Sequence, residues 1–272
     1  MLYESLLEVL PNHAHLLMER GQALEPPERW RWLASRFPPR EHWRSLHAGG
    51  TWPATRWLAL DIETTGLAPP HCHVTVVGLC GHATGFEPVA LVADAPGWEA
   101  QLERYLADSD VLISFNGRQF DVPFLCQSLE WTQDRFPPFH LDLRFAYKRL
   151  GLKGGLKKVQ VQLGFIREQG VAEVNGYTAV LLWRAHRRGH PAALLTLVRY
   201  CLEDVVVLLP MARHAYELLA REEGRNWCPP QVPDVSIAHM PYDEELVRRL
   251  GTATAVPRHG GGPSPRRGRG SG

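Results

Sequence analysis

The sequence has 272 residues, of which 44% are hydrophobic and 22% charged, and its formal net charge of +1 excludes a global electrostatic argument for a nucleic-acid partner. This is the composition of an ordinary globular chain, long enough for one sizeable core plus extensions. No stretch approaches the roughly 20 apolar residues of a membrane helix, nothing at the N-terminus resembles a secretory signal, and five scattered cysteines argue for a reducing compartment, so we expect a cytoplasmic protein.

The first segment, residues 1–52, is predicted to be a helical extension separate from the rest of the chain. Apolar residues between Leu6 and Leu10 form a helical stripe, and pairs of Pro or Gly interrupt the segment further on. Between Arg29 and Arg56, basic residues interleave with tryptophans and a phenylalanine. Two interpretations stay open: these aromatic residues stack bases, or they pack an N-terminal arm onto the main domain.

From Arg56 onwards the pattern is that of an α/β domain. Buried strands are predicted at Trp57–Glu63, Val74–Cys80 and Pro88–Val92, and their succession indicates an antiparallel meander. A helix from about 98 to 106 and a strand from about 111 to 115 come next. The order strand, strand, strand, helix, strand resembles the ribonuclease-H-like fold, a mixed sheet in which parallel strands extend the meander and helices flank it.

The rest of the predicted domain, which spans residues 53–225, is mostly helical. Pro191 suits the first turn of the last helix, and Pro210 is expected to kink it. Residues 226–272 are a predicted C-terminal extension that ends in a disordered basic Gly/Arg tail. The helices are predicted at about 119–129, 142–150, 155–163, 177–188 and 191–220.

Two carboxylates end the first predicted strand. Asp61 and Glu63 are two residues apart, so both side chains point to one side of the strand while Leu60 and Ile62 point to the other. A pair of solvated acids is the alternative, but it does not explain why they directly follow a buried run. Carboxylates beside apolar residues need a positive partner, and divalent cations are the strongest one. The pair therefore predicts half of a metal site.

Two further acids occupy positions that suit the same site. Asp121 follows a predicted strand and an Asn-Gly turn, where ligand sites of open α/β sheets gather; in isolation an N-cap role explains it as well. Tyr200 and Asp204 are four residues apart and share one face of an otherwise apolar helix. An inward carboxylate and an inward hydroxyl both need polar partners. A metal site would satisfy both.

Three motifs in this order carry a resemblance to a known family. Asp61-Ile62-Glu63-Thr64 resembles the first motif of the DEDD (DnaQ-like) 3′-to-5′ exonucleases. Asn116 through Asp121 resembles the second, and Tyr200-x-x-x-Asp204 resembles the third in its tyrosine-bearing form. The similarity spans roughly residues 56–220. It is closest to the bacterial YprB-type predicted exonucleases, on the segments His140-Leu141-Asp142-Leu143, Leu156 to Phe165 and Tyr200 to Val206.

Cys201 departs from the Asn that commonly follows the tyrosine in these relatives. Residue 201 lies about 100° round the helix from Tyr200. We therefore expect this departure to leave the metal site unaffected.

The resemblance implies hydrolysis of phosphodiester bonds with two metal ions. Asp61 would bridge two Mg²⁺ or Mn²⁺ ions, Glu63 and Asp204 would complete the shell of the first, and Asp121 would hold the second. Tyr200 would orient the attacking water as a hydrogen-bonding group rather than as a base. The implied activity is that of a 3′-to-5′ exonuclease acting on single-stranded ends of DNA or RNA.

Substrate contacts are predicted beside this site. Thr64 and Asn116 belong to the motifs and are expected to bind substrate; Phe120 is expected to pack against the terminal base or sugar, although a core role explains it equally well. Between residues 143 and 167 the chain has no acid and seven basic residues, which suits either a polyanionic substrate or a solvated helix surface. The best candidates there for contacts with the substrate backbone are Lys153, Lys157 and Lys158.

Other interpretations stay open. An endonuclease or resolvase on the same fold is the nearest enzymatic one, and a nucleic-acid-binding module without catalysis is the one from another class. His140, just before a predicted helix, is expected to be a local hydrogen-bonding residue rather than a phosphate contact. A group of ligand-type residues also superficially suggests zinc, although its spacing matches no standard pattern: His71, Cys72, His73, Cys80 and His82.

Overall fold

The computed structural model describes residues 55–165, 174–222 and 231–252, together with residues 31, 32 and 35. The predicted N-terminal extension therefore lies almost entirely outside the described residues, and the predicted disordered tail lies wholly outside them. Within the described ranges, no helix has both the length and the apolar character needed to cross a membrane.

The sheet has five strands in the order β3-β2-β1-β4-β5. β1 (Trp57–Thr64), β2 (Val74–Gly81) and β3 (Val89–Val92) pair antiparallel. β4 (Val111–Ser114) and β5 (Phe139–Asp142) extend the sheet from β1 in parallel. The predicted meander with parallel strands added to it is confirmed.

The α-helices of the described ranges follow the predicted segments closely up to residue 222. The long last helix of that series begins at Pro191 as expected and continues through Pro210. The helices are α1 (Trp98–Ala107), α2 (Asp121–Leu129), α3 (Leu143–Arg149), α4 (Leu156–Leu163), α5 (Gly176–Arg187), α6 (Pro191–Glu222) and α7 (Glu244–Thr252).

The side chains of β1 alternate between two hydrophobic cores, one on each face of the sheet. Leu60 and Ile62 pack with apolar residues of α1 and α2, whereas Ala59 packs with residues of α3 and α6. Asp61 and Glu63 continue the row that includes Ala59, so their side chains face α6. The strand thus delivers two acids to the helix that carries Tyr200 and Asp204.

The edge strand β5 is absent from the sequence-based prediction. Its four residues are too few for a periodic pattern, and Pro137-Pro138 directly precedes them. They form a strand because all four pair in register with β4. His140 consequently lies inside a strand, where it is buried, three residues before the start of α3.

Part of the predicted C-terminal extension packs on the domain. α7 places Leu246 and Val247 in one cluster with residues of α5 and α6, including Leu197. Ahead of α7, the guanidinium of Arg199 on α6 donates a 3.1 Å hydrogen bond to the carbonyl oxygen of Ala238. Apolar burial and this charged hydrogen bond hold residues 231–252 against α6.

Candidate active site

Two acids of β1 and one cysteine of α6 form a tight group of ligand-type atoms. One carboxylate oxygen each of Asp61 and Glu63 and the Sγ atom of Cys201 all lie within 4.8 Å of one another. Asp61 is partly buried, while Glu63 and Cys201 are buried. In the part of the chain that the structure describes, this is the one such group with metal-ligating geometry.

Asp121 joins this group through the backbone of β1. It is the first residue of α2, it is only 3% exposed, and its Oδ1 atom accepts a 3.1 Å hydrogen bond from the N–H of Ile62. Because Ile62 lies between Asp61 and Glu63, that bond ties the predicted second motif directly to the first. Asp121 is therefore not at the N-cap position considered for it, which Phe120 occupies without a side-chain capping hydrogen bond.

Tyr200 and Asp204 reach the same region from α6. Both are buried, at 6% and 7% exposure, in spite of their polar groups. Burial is the largest cause that raises the pKa of both Asp121 and Cys201, and the charge of Asp204 raises each further, so Asp204 acts electrostatically on both. Acids from β1, α2 and α6 therefore converge on one place.

The electrostatics of this place fit a divalent cation. Burial is the largest cause that raises the pKa of Asp121, to about 7; backbone N–H groups oppose the rise, and the charges of Asp142 and Asp204 add to it. Like charges this close repel each other in a buried environment, and hard cations bound by carboxylate oxygens relieve that repulsion. The four predicted acids are thus a donor set that suits Mg²⁺ or Mn²⁺.

Cys201 is the residue that sequence reasoning misplaced. We expected its departure from the relatives to leave the metal site unaffected, but its sulfur lies within the acidic group. Residues 201 and 204 are three apart and share a helix face just as residues 200 and 204 do. Burial raises the pKa of the Cys201 thiol well above its ordinary value, and the charges of Asp61, Glu63 and Asp204 raise it further.

Gly78 explains how α6 comes so close to the acids. It lies on β2 directly opposite Asp61. A Cβ atom added to Gly78 would lie 2.7 Å from Cγ2 of Val205 and 2.9 Å from Sγ of Cys201. Only the missing side chain lets the helix rest on the backbone of the sheet at this point.

The turn that leads to Asp121 is held by Asp142, a second residue that sequence reasoning did not single out for a role. Asn116 has a left-handed backbone with φ of 73°, a conformation that Asn tolerates better than most residues. The carboxylate of Asp142 accepts backbone hydrogen bonds from Asn116 at 2.8 Å, from Arg118 at 3.1 Å and from Arg144 at 3.0 Å. Asp142 therefore fixes the turn and caps α3 at once.

His140 has the local role that the sequence suggested, although in a different element. Its Nε2 atom lies 2.7 Å from the hydroxyl oxygen of Ser114 on the neighbouring strand. That hydroxyl oxygen also accepts a 3.1 Å hydrogen bond from the N–H of Gly117. The pair supports the same turn at the end of the sheet.

Two of the predicted substrate-binding residues of the motifs, Thr64 and Phe120, are neighbours in sequence of Glu63 and Asp121. Thr64 ends β1, is partly buried, and donates a 2.6 Å hydrogen bond to the carbonyl oxygen of Gly66. Phe120 is partly buried and packs on Phe124, with ring centroids 5.6 Å apart. The side-chain oxygen of Asn116 accepts a hydrogen bond from Arg144.

The three predicted substrate-binding lysines separate into two kinds. Lys153 and Lys158 are exposed. Lys157 is partly buried: its ammonium group lies 4.8 Å from the centroid of the Tyr200 ring and donates a hydrogen bond to the carbonyl oxygen of Val174. Lys157 therefore contacts the tyrosine of the site.

The zinc alternative is inconsistent with the geometry. His71, Cys72 and His73 precede β2, whereas Cys80 and His82 lie at its far end. An eight-residue strand separates its ends by more than 20 Å, at about 3.3 Å per residue. No single ion can contact both groups.

The chain was compared with protein families and with solved structures. A family model for the RNase H superfamily matches residues 58–216. Among solved structures, the chain is similar to the family B DNA polymerase from the hyperthermophilic archaeon Pyrobaculum calidifontis, at 19% identity and a TM-score of 0.43, over 62% of this chain and 24% of the polymerase. It thus spans only a minor part of that polymerase.

A second similar structure is described as the apo form of a nuclease, at 22% identity and a TM-score of 0.43, over 72% of this chain and 81% of that one. Structural likeness at this level carries no argument about activity. Among curated proteins, none matches the sequence significantly.

Proposed function

The chain belongs to the RNase H superfamily, and from this premise we propose that it is a metal-dependent nuclease of the tyrosine-bearing DEDD type, akin to the YprB-type proteins. Its reaction is the 3′-to-5′ exonucleolytic hydrolysis of phosphodiester bonds in single-stranded DNA or RNA. The residues that act are Asp61, Glu63, Asp121, Tyr200 and Asp204.

One observation supports the proposal: ligand-type side chains from β1, α2 and α6 lie close to the acids of β1. Asp61 and Glu63 are within 4.8 Å of Cys201 on α6, and Asp121 is bonded to the backbone between them. Folding alone gives no reason to gather buried carboxylates, because each costs free energy unless a positive group compensates it. A cation-dependent reaction on a phosphate does give a reason.

The four acids are the residues that would hold Mg²⁺ or Mn²⁺, as two ions. When bound, the cations supply Lewis acidity toward the phosphate and an activated water. Tyr200 would hold that water by a hydrogen bond from its buried hydroxyl, one helical turn from Asp204. Lys157, over the Tyr200 ring, would keep the ring in place.

Asp61 is partly buried whereas the other three acids are buried, so substrate would approach the site at Asp61. Phe120 precedes Asp121 and is partly buried, so its ring is available at one edge to stack on a terminal base. Thr64 and Asn116 would offer hydrogen bonds to the last nucleotide, and the exposed Lys153 and Lys158 would contact the phosphate backbone.

The central experiment measures metal-dependent release of mononucleotides from an end-labelled single strand. We expect the wild type to release them with Mg²⁺ or Mn²⁺, and Asp61→Ala and Asp204→Asn to release none. Glu217→Gln is the matched control, because Glu217 lies on the same helix but pairs with Arg213. Unchanged release by both acid variants would refute the assignment.

Two further substrates distinguish the remaining activities. Cleavage of a circular single strand would identify an endonuclease, since a circle has no end to degrade. Matched DNA and RNA oligonucleotides would identify the polymer, because a protein distinguishes RNA from DNA by its contacts with the 2′-hydroxyl.

A calorimetric titration with Mn²⁺ separates an enzyme from a binding module that lacks catalysis. Two sites that Asp61→Ala disrupts favour the enzyme. Nucleic-acid binding with no Mn²⁺ site favours the module.

A further inference from the structure

One ligand-type atom at the proposed active site is chemically unlike the others. The Sγ atom of Cys201 lies within 4.8 Å of carboxylate oxygens of both Asp61 and Glu63, and the residue is 0% exposed. Carboxylate oxygens are hard ligands that suit Mg²⁺ and Mn²⁺, whereas a thiolate is a soft ligand that suits zinc and its heavier relatives.

The sulfur is held in this position by the packing of α6 on the sheet. It lies 2.9 Å from the place where a Cβ atom of Gly78 would be. The thiol also contacts the carbonyl oxygen of Asp61 at 3.8 Å, a long and weak hydrogen bond for sulfur. The side chain is therefore aimed at the acids by the contact between helix and strand and not by a strong bond of its own.

We propose that Cys201 is a ligand of the cation held by Asp61 and Glu63, and that it makes this position selective for thiophilic divalent cations such as Zn²⁺ over Mg²⁺. The proposal deepens the proposed function, since it concerns the same site. On binding, the Sγ–H bond is replaced by an Sγ–metal bond and the proton passes to the solvent.

The competing explanation is that the thiol only fills the space between α6 and Gly78. In that case a change at residue 201 alters the stability of the protein and leaves the order of metal affinities as it was. The two explanations differ in a spectroscopic signature, which a packing role does not produce.

The test uses the full chain and Cd²⁺ alone as the probe. We expect Cd²⁺ to give the ultraviolet charge-transfer band of a thiolate ligand, and Cys201→Ser to abolish it and to weaken Cd²⁺ binding at least about tenfold, or about 1.4 kcal/mol. Mg²⁺ affinity should change much less. Cys126→Ser is the matched control, because Cys126 lies on α2 and belongs to the opposite hydrophobic core.

Cadmium NMR of the wild type tests the same point without a variant, so the proposal stays testable even if Cys201→Ser folds poorly. A resonance shifted from the all-oxygen range toward that of sulfur-ligated cadmium supports it. A resonance in the all-oxygen range, a charge-transfer band that persists in Cys201→Ser, or an equal loss of Mg²⁺ and Cd²⁺ affinity overturns it.

The role of Cys201 and the nuclease activity can fail separately. If the wild type releases mononucleotides but Cys201→Ser keeps the Cd²⁺ band, only the role of Cys201 falls. If a Cys201-dependent band is present while Asp61→Ala and Asp204→Asn still release mononucleotides fully, the nuclease assignment is refuted and the role of Cys201 as a metal ligand is supported.

Discussion

Asp121 is a deeply buried member of the proposed metal ligands, with only 3% of its surface exposed. Its pKa, raised by burial to about 7, exceeds the ordinary value of an aspartate near 4. Between these two values the folded protein binds more protons than the unfolded chain, so the stability of the metal-free protein falls as the pH rises through this interval. Such a cost is expected of a residue kept for the proposed metal site.

The Asp121→Asn variant tests this cost. Asn removes the charge and keeps an oxygen that can accept the Ile62 N–H, so we expect a higher melting temperature than the wild type in chelator at about pH 8, by roughly 2–4 °C per kcal/mol gained. The gain should shrink at about pH 5, where the wild-type carboxyl is protonated. Thermal unfolding at both values is the measurement. A lower melting temperature of the variant at the higher pH would contradict the argument.

Lys157 differs from its neighbours Lys153 and Lys158 although all three are basic residues of one stretch. Its ammonium group lies over the Tyr200 ring and bonds to a backbone carbonyl, while the other two are exposed. The sequence alone predicts a phosphate contact for each. In the structure Lys157 contacts the Tyr200 ring, so we propose that it orients the tyrosine.

Lys157→Met is therefore expected to lower kcat and to leave KM near the wild-type value. A cation over an aromatic ring contributes about 0.5–2 kcal/mol, which corresponds to a decrease of roughly 2-fold to 30-fold. Lys158→Met is the matched control and should raise KM with little change in kcat. Steady-state kinetics on a single strand measure both parameters. A Lys157→Met variant that changes only KM would indicate that Lys157 contacts the substrate instead.

The contact between α6 and the centre of the sheet is the element-scale feature on which the site depends. It brings Tyr200, Cys201 and Asp204 to the acids of β1, and Gly78 is what permits it. A side chain at that position meets Val205 and Cys201 at less than 3 Å. The helix or the strand has to move if one is added.

Gly78→Ala should therefore displace α6 and impair activity more than stability. Overpacking of this kind costs about 1–3 kcal/mol, while a small shift of Asp204 from the other acids should abolish most of the turnover. Melting temperature and kcat measured together test this.

Gly176→Ala provides the control for the Gly78 prediction. Gly176 is the first residue of α5, and a Cβ atom added there meets nothing within 4 Å. We expect stability and turnover close to those of the wild type. Wild-type turnover in Gly78→Ala as well would show that the close packing of α6 is dispensable.

A strand or helix could be predicted from sequence where its apolar residues recur with the period of that element. β1 and α6 are long and their apolar residues recur at the spacing of a strand and of a helix. β5 has only four residues, and it forms a strand because it pairs with β4. α7 has nine residues, and its apolar side chains are buried in a cluster that includes residues of α5 and α6. Tertiary partners decide such short elements.

At the scale of the whole molecule, sequence identified the acids but not their surroundings. Motif order pointed to Asp61, Asp121 and Asp204, whose roles stay predictions. The place of Cys201 could not be read from the helix alone, because it depends on which face of α6 meets the sheet. The role of Asp142 in fixing the turn before Asp121 could not be predicted from sequence either. Its hydrogen-bond partners are backbone N–H groups of a turn that is distant in the chain.

The distribution of charge over the molecule gives the last prediction. The net charge is only +1, so attraction of a nucleic acid has to come from a local surface, and the acid-free stretch between residues 143 and 167 is the candidate. Lys153→Glu combined with Lys158→Glu should weaken binding of a labelled single strand. The dependence of log K on log salt should flatten by about 0.7 for each phosphate that is no longer neutralised.

Fluorescence anisotropy in chelator, where the strand stays intact, measures that slope. Arg104→Glu is the control, because Arg104 is exposed on α1, which packs on the face of the sheet opposite α6. It changes net charge by the same amount per residue, so a purely global effect would flatten the slope there too. A slope altered in both variants in proportion to the change in net charge, or in neither, would mean that Lys153 and Lys158 do not contact the strand.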